Sequence, residues 1–117
     1  MSTDRLWSIF DRISEIPRCS GSEEKVREYI IEGAKRLGLI YSTDRTGNVL
    51  IRTRGIPKYC LQGHMDMVCV GEFPIRLREE DGWITADGST LGADNGIGIA
   101  MMLALAGYSP GGAAPYG

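Results

Sequence analysis

Histidine and cysteine are scarce in this chain: among 117 residues there is one histidine, His64, and there are three cysteines, Cys19, Cys60 and Cys69. An odd number of cysteines with no C-x-x-C pair argues against a disulfide framework and suits a reducing compartment, where the thiols would fill the core. Strand parity disfavours a structural zinc on Cys60, His64 and Cys69, because the first two would share a face and Cys69 would point to the other. Charge of one sign is also lacking. The formal net charge is -2, an ordinary globular balance that suggests neither nucleic acid nor an anionic membrane as partner. Long apolar runs are absent as well: GIGIAMMLALA at 96–106 has about half of the ~20 residues needed to span a bilayer. The opening MSTDRLWSIFDR carries charges where a signal peptide needs its apolar stretch, so a cytoplasmic protein is expected.

What is present suffices for one modest domain, burying ~65% of the surface of its unfolded chain. Leu6, Ile9, Phe10, Ile13 and Ile16 recur at helical spacing until Pro17, which predicts a first amphipathic helix. Ser20 and Glu23 have the spacing of a capping box, and Val26, Ile30, Ala34 and Leu37 then mark one face up to Gly38, a second helix. Two short strands are expected at 39–41 and 49–53, joined through DRTGN. YCLQGHMDMVCV reads as a buried strand, and EFPIRLREEDGWITADGS as a surface hairpin with Asp81-Gly82 and Asp87-Gly88 as turn signals. TLGADNGIGIAMMLALA passes from a glycine-rich loop into a buried helix, and the Gly/Pro-rich tail at 106–117 reads as disordered. The order of elements indicates an α/β architecture.

Two stretches carry chemistry. In LQGHMDMV, His64 and Asp66 would project from one face of a strand, near the end where open α/β sheets place ligands. A carboxylate two positions from an imidazole can orient it for a metal. H-x-D is common, however, and alone it favours a core histidine satisfied by Asp66. In GADNG, Asp94 sits in a glycine-flanked turn before a helix, where an ordinary N-cap is the simplest reading. A phosphate or dinucleotide loop is disfavoured, since GIGIAM lacks the third glycine of G-x-G-x-x-G and no Lys-Ser or Lys-Thr follows.

Taken together, GHMDMV followed by TLGADNGIGIAMMLAL, with IPRCSGSEEKVREYI and DRTGNVLIR in collinear order before them, resembles the M20 metallopeptidases, most closely the aminoacyl-histidine (Xaa-His) dipeptidase branch. The resemblance implies that residues 1–105 are the N-terminal part of a mixed-sheet catalytic domain flanked by helices. It implies a two-metal hydrolase of dipeptides, usually zinc-dependent, although the same donors also serve cobalt or manganese. Within it His64 matches a metal ligand, Asp94 the carboxylate that bridges both ions, and Asp66 the acidic residue that orients the histidine and is counted as catalytic. Asp94-Asn95 would be a cis peptide.

The chain departs from the family after this loop. The family's Glu-Glu pair, which supplies the general base and a ligand, has no counterpart, nor have its later aspartate and histidine ligands; Glu79-Glu80 precedes Asp94 and reads as a solvated surface pair. The stretch between His64 and Asp94 is short for the family, and the resemblance stops at Leu105. A frameshift or premature stop in a longer gene would produce both the missing residues and the Gly/Pro-rich ending. With two ligands where a catalytic zinc wants three, the expectation is a truncated chain inactive alone, which self-associates or joins a missing C-terminal part. The alternative is a non-catalytic binding module, or a piece that complements a separately encoded remainder.

Overall fold

The computed structural model describes residues 3–107. Helix α1, Asp4–Glu15, buries Phe10, Ile13 and Ser14, the apolar stripe expected from its spacing. It ends where Ile16 turns extended before Pro17, which disfavours helical geometry in the residue ahead of it. Helix α2, Glu24–Arg36, buries Val26, Ile30 and Ala34 and places Lys35 and Arg36 in its last turn, where the helix dipole favours cations.

The strands form two separate hairpins. β1, Ile40–Thr43, pairs antiparallel with β2, Val49–Arg52, with Tyr41 opposite Ile51. Asp44 ties the connecting turn: its carboxylate accepts the backbone N–H groups of Thr46 and Asn48 at 3.0 and 2.9 Å, together with both of their side chains. Arg27 reaches from α2 to Gly47 O at 2.8 Å and fixes the hairpin to the helix. β3, Leu77–Glu80, and β4, Trp83–Ala86, form the second antiparallel pair, turned at Asp81 and Gly82 as the sequence indicated.

Helix α3, Ala93–Ala106, closes the core. Its buried Ile99, Ala100 and Leu103 join Phe10, Ile13, Val26 and Ile30 in one cluster. Gly96, Ala100 and Ala104 of α3 are also buried, and a Cβ at Gly96 would stand 3.3 Å from Phe10 Cε1 on α1. The outer face is uncovered: Met101 and Leu105 are about half exposed (49% and 47%). Helices and strands thus combine as the α/β reading anticipated, in small antiparallel sheets.

Three expectations need correction. First, YCLQGHMDMVCV is not a buried strand: among the described residues its one ladder contact is an isolated parallel bridge from Met67 to Cys19, and Tyr59, Leu61, Val68 and Val70 are exposed. Its β-branched and apolar residues suit a central strand, but among the described residues no neighbouring strand lies alongside it. Second, Ser20 is not part of a capping box. Helix α2 has Glu23 at its N-cap without a side-chain cap bond, and the Glu23 carboxylate accepts from Gly21 N–H instead. Third, the cysteines are not all free thiols: Cys19 and Cys69 form a disulfide across Cα atoms 5.5 Å apart, and Cys60 is free and exposed. The tail, apart from Ala106 and Gly107, lies outside the described residues.

Candidate metal centre

The site forms where residues 63–67 pass the N-terminus of α3. Gly63 permits the approach, because a Cβ there would stand 2.5 Å from Asn95 Nδ2 and 2.7 Å from Met102 Cε. On the other side Gly92 occupies the left-handed region at φ 76°, which side chains other than glycine rarely tolerate. The next residues are irregular. The Asp94-Asn95 peptide is cis, as the resemblance implied, and neither residue has helical dihedrals, so the regular helix begins at Gly96.

This backbone brings the three residues singled out in the sequence to one place. His64 Nδ1 lies 3.0 Å from Asp66 Oδ1 and 3.1 Å from the Asp66 carbonyl oxygen. His64 Nε2 lies 3.0 Å from Asp94 Oδ1, across 30 positions of sequence. The ring is half exposed (52%) and the Asp94 side chain almost wholly so (95%), so the site lies open, and the desolvation that lowers the His64 pKa is outweighed by the Asp94 hydrogen bond. With an oxygen acceptor at each nitrogen the imidazolium is favoured. The Asp94 carboxylate is the main cause raising the His64 pKa above its ordinary value, with Asp66 adding to it. Asp66 is shifted the other way: the Ser20 hydroxyl, and then His64, hold its carboxyl below the usual range.

Two residues that the sequence reading did not connect with the site support this arrangement. Arg18 is buried (1% exposed) and donates from Nη2 to Gly92 O at 2.7 Å, which fixes the turn ahead of Asp94 from beneath. Its Nε and Nη1 have no partner among the described residues, and burial pushes the guanidinium pKa down while Asp66 opposes that shift. Ser20 donates its hydroxyl to Asp66 Oδ2. Both lie in IPRCSGSEE, a stretch that carried the resemblance; the local signal there was the capping-box spacing of Ser20 and Glu23, which says nothing of a contact to Asp66.

The donor pair suits a divalent transition metal in kind: a neutral imidazole nitrogen whose other nitrogen is held by a carboxylate, facing an open carboxylate oxygen. Two donors tetrahedral about one zinc at about 2.0–2.1 Å stand ~3.3 Å apart, and these stand 3.0 Å apart. Among the described residues no group of three histidine, cysteine or acidic side chains is placed to hold an ion.

No family-level sequence profile matches the chain. It is 42% identical over 120 residues to the cytosol non-specific dipeptidase of Escherichia coli K12, an alignment covering 90% of this chain and 25% of that protein. Its fold superposes on the aminoacylhistidine dipeptidase from Vibrio alginolyticus with a TM-score of 0.84 and 37% identity, covering 94% of this chain and 26% of that one. A tripeptidase from Staphylococcus aureus gives a TM-score of 0.81 at 28% identity, covering 91% and 32%. The chain therefore spans between a quarter and a third of the length of these relatives.

Proposed function

We propose, this chain being a homologue of the M20 dipeptidases over 90% of its length, that it carries one part of a two-metal peptidase centre. In this reading His64 and Asp94 are zinc ligands, Asp66 holds the proton on His64 Nδ1 and leaves Nε2 to the metal, and the substrate is a dipeptide of the Xaa-His type. Bound zinc would supply Lewis acidity toward the peptide carbonyl and its attacking water; cobalt or manganese would use the same donors. The observation that carries the reading is the convergence of His64 Nε2 and Asp94 Oδ1 at 3.0 Å while Asp66 occupies Nδ1. Among the described residues no side-chain hydrogen bond caps α3, and the Asp94 carboxylate instead faces His64 Nε2.

The remaining ligands and the general base belong, in this proposal, to polypeptide beyond the present chain. The chain alone would then bind zinc weakly and act as a truncated or complementing piece. The short donor set favours that form of the second reading over an independent binding module. The proposed compartment is the cytoplasm, in keeping with the cytosol dipeptidase of Escherichia coli that the chain resembles; among the described residues no helix is long and apolar enough to cross a membrane.

The test has two arms. Titration calorimetry should show weak zinc uptake that Asp94→Ala or His64→Ala abolishes. The purified chain with zinc should hydrolyse no Xaa-His dipeptide above background, whereas the chain joined to the remaining part of a homologous dipeptidase should do so. Zinc uptake indifferent to His64 and Asp94 would sink the metal assignment, and turnover by the chain alone would sink its incompleteness.

A further inference from the structure

We infer that Ser20 is a positioning residue for the metal centre: its hydroxyl locks the Asp66 carboxylate in the orientation that aims His64 Nε2 at Asp94. The argument begins with what Asp66 must do. A carboxylate held through one oxygen is free to swing about its side-chain torsions, and the imidazole bonded to it swings with it. Here both oxygens are held, Oδ1 by His64 Nδ1 at 3.0 Å and Oδ2 by the Ser20 hydroxyl. Fixing both oxygens fixes the carboxylate plane, and with it the direction of the ring.

The anchor is itself fixed. Ser20 N–H donates to Met67 O at 3.1 Å, and Met67 N–H donates to Arg18 O at 3.0 Å, so the backbone leading into Ser20 is pinned to the residue after Asp66. The preceding residue, Cys19, is bonded to Cys69, three positions after Asp66. The hydroxyl has one further acceptor within reach, Met67 O at 3.3 Å, a longer contact than the one to Asp66; the backbone bonds survive its loss, and α2 does not use it as a cap. The contact spans 46 positions of sequence, which explains why local spacing pointed to a capping box instead.

The inference rests on the proposed metal reading only for its consequence in zinc binding; the ring orientation is testable without metal. His64 is the sole histidine of the chain, so nitrogen-15 labelling of histidine yields one ring and no assignment ambiguity. In the metal-free full chain, at a pH where the ring is neutral, long-range proton–nitrogen spectra should show the Nδ1–H form dominant. Ser20→Ala should move the ring to a mixture of both forms, and zinc affinity should fall roughly threefold to tenfold, at or below the ~10–100-fold typical of losing a ligand's direct outer partner. Ser20→Thr, which keeps the hydroxyl, should restore both readouts, and Ser20→Val, of the same shape without it, should not. Because Thr and Val differ only in the hydroxyl, that pair decides the matter even if the alanine variant folds poorly. Equal tautomer ratios in the Thr and Val variants would overturn the inference. Failure of the parent chain to take up any zinc would overturn the proposed function and leave the tautomer comparison to judge Ser20.

Discussion

Single residues set the shape of this site, and Gly92 is the most constrained of them. A Cβ at this position would meet Arg18 Nη2 at 2.6 Å and Met67 Sδ at 2.9 Å, on a backbone at φ 76°. The left-handed conformation alone costs a non-glycine residue about 1–2 kcal/mol. Gly92→Ala should therefore lower unfolding free energy by at least ~1 kcal/mol in urea titrations and displace Arg18 from the turn ahead of Asp94. Asp44 offers a separate test by pH. Hydrogen bonds from Asn48 and Thr46 lower its pKa from 3.8 to about 2. A carboxyl depressed in the folded state contributes stability above its unfolded pKa and loses that contribution as pH falls through the folded value. The Asp44 carboxyl carbon should accordingly titrate near pH 2 by NMR, and Asn48→Ala should bring its midpoint back toward 3.8.

At the scale of elements, the disulfide joins the turn between α1 and α2 to the segment carrying His64 and Asp66. Its 50-residue loop would, on the chain-entropy account, raise stability by about 4 kcal/mol through restriction of the unfolded chain. That is a large part of the ~5–15 kcal/mol that holds a typical domain together. Reductant, or the paired change Cys19→Ser and Cys69→Ser, should lower the urea midpoint by a corresponding amount, while Cys60→Ser should leave it unchanged. Sequence spacing had suggested three reduced thiols, because parity counts and C-x-x-C searches see only neighbours along the chain. Helices are a different case. Periodicity located the first two and their buried faces, since a helix is built from contacts three and four residues apart, and the apolar run after Asn95 located the third.

On the scale of the whole molecule, the chain is less compact than its length allows. Its radius of gyration is 14.8 Å, against about 13 Å for a globular domain of this size. Tyr59, Leu61, Val68 and Val70 stand exposed along one segment, and Met101 and Leu105 along α3. Apolar surface of this kind marks an interface or an aggregation liability, and a net charge of -2 opposes self-association only weakly. Sedimentation equilibrium should show a mass above 12.8 kDa that rises with concentration, and Leu61→Lys together with Val70→Lys should return it toward the monomer. A monomer at all concentrations would show that this surface does not drive association.

The amino-acid sequence sufficed to locate the helices and both hairpins, because each is written in short-range patterns, while the motifs of His64, Asp66 and Asp94, bland when taken singly, were joined only by the resemblance over the whole collinear stretch. Tertiary structure decided which of those motifs touch, which nitrogen of His64 faces which carboxylate, and that Ser20, Arg18 and the Cys19–Cys69 bond support them. It also decided that the apolar segment around His64 stands exposed. These outcomes depend on distances between residues far apart in the chain and on whether a neighbouring strand is at hand, neither of which a local pattern encodes.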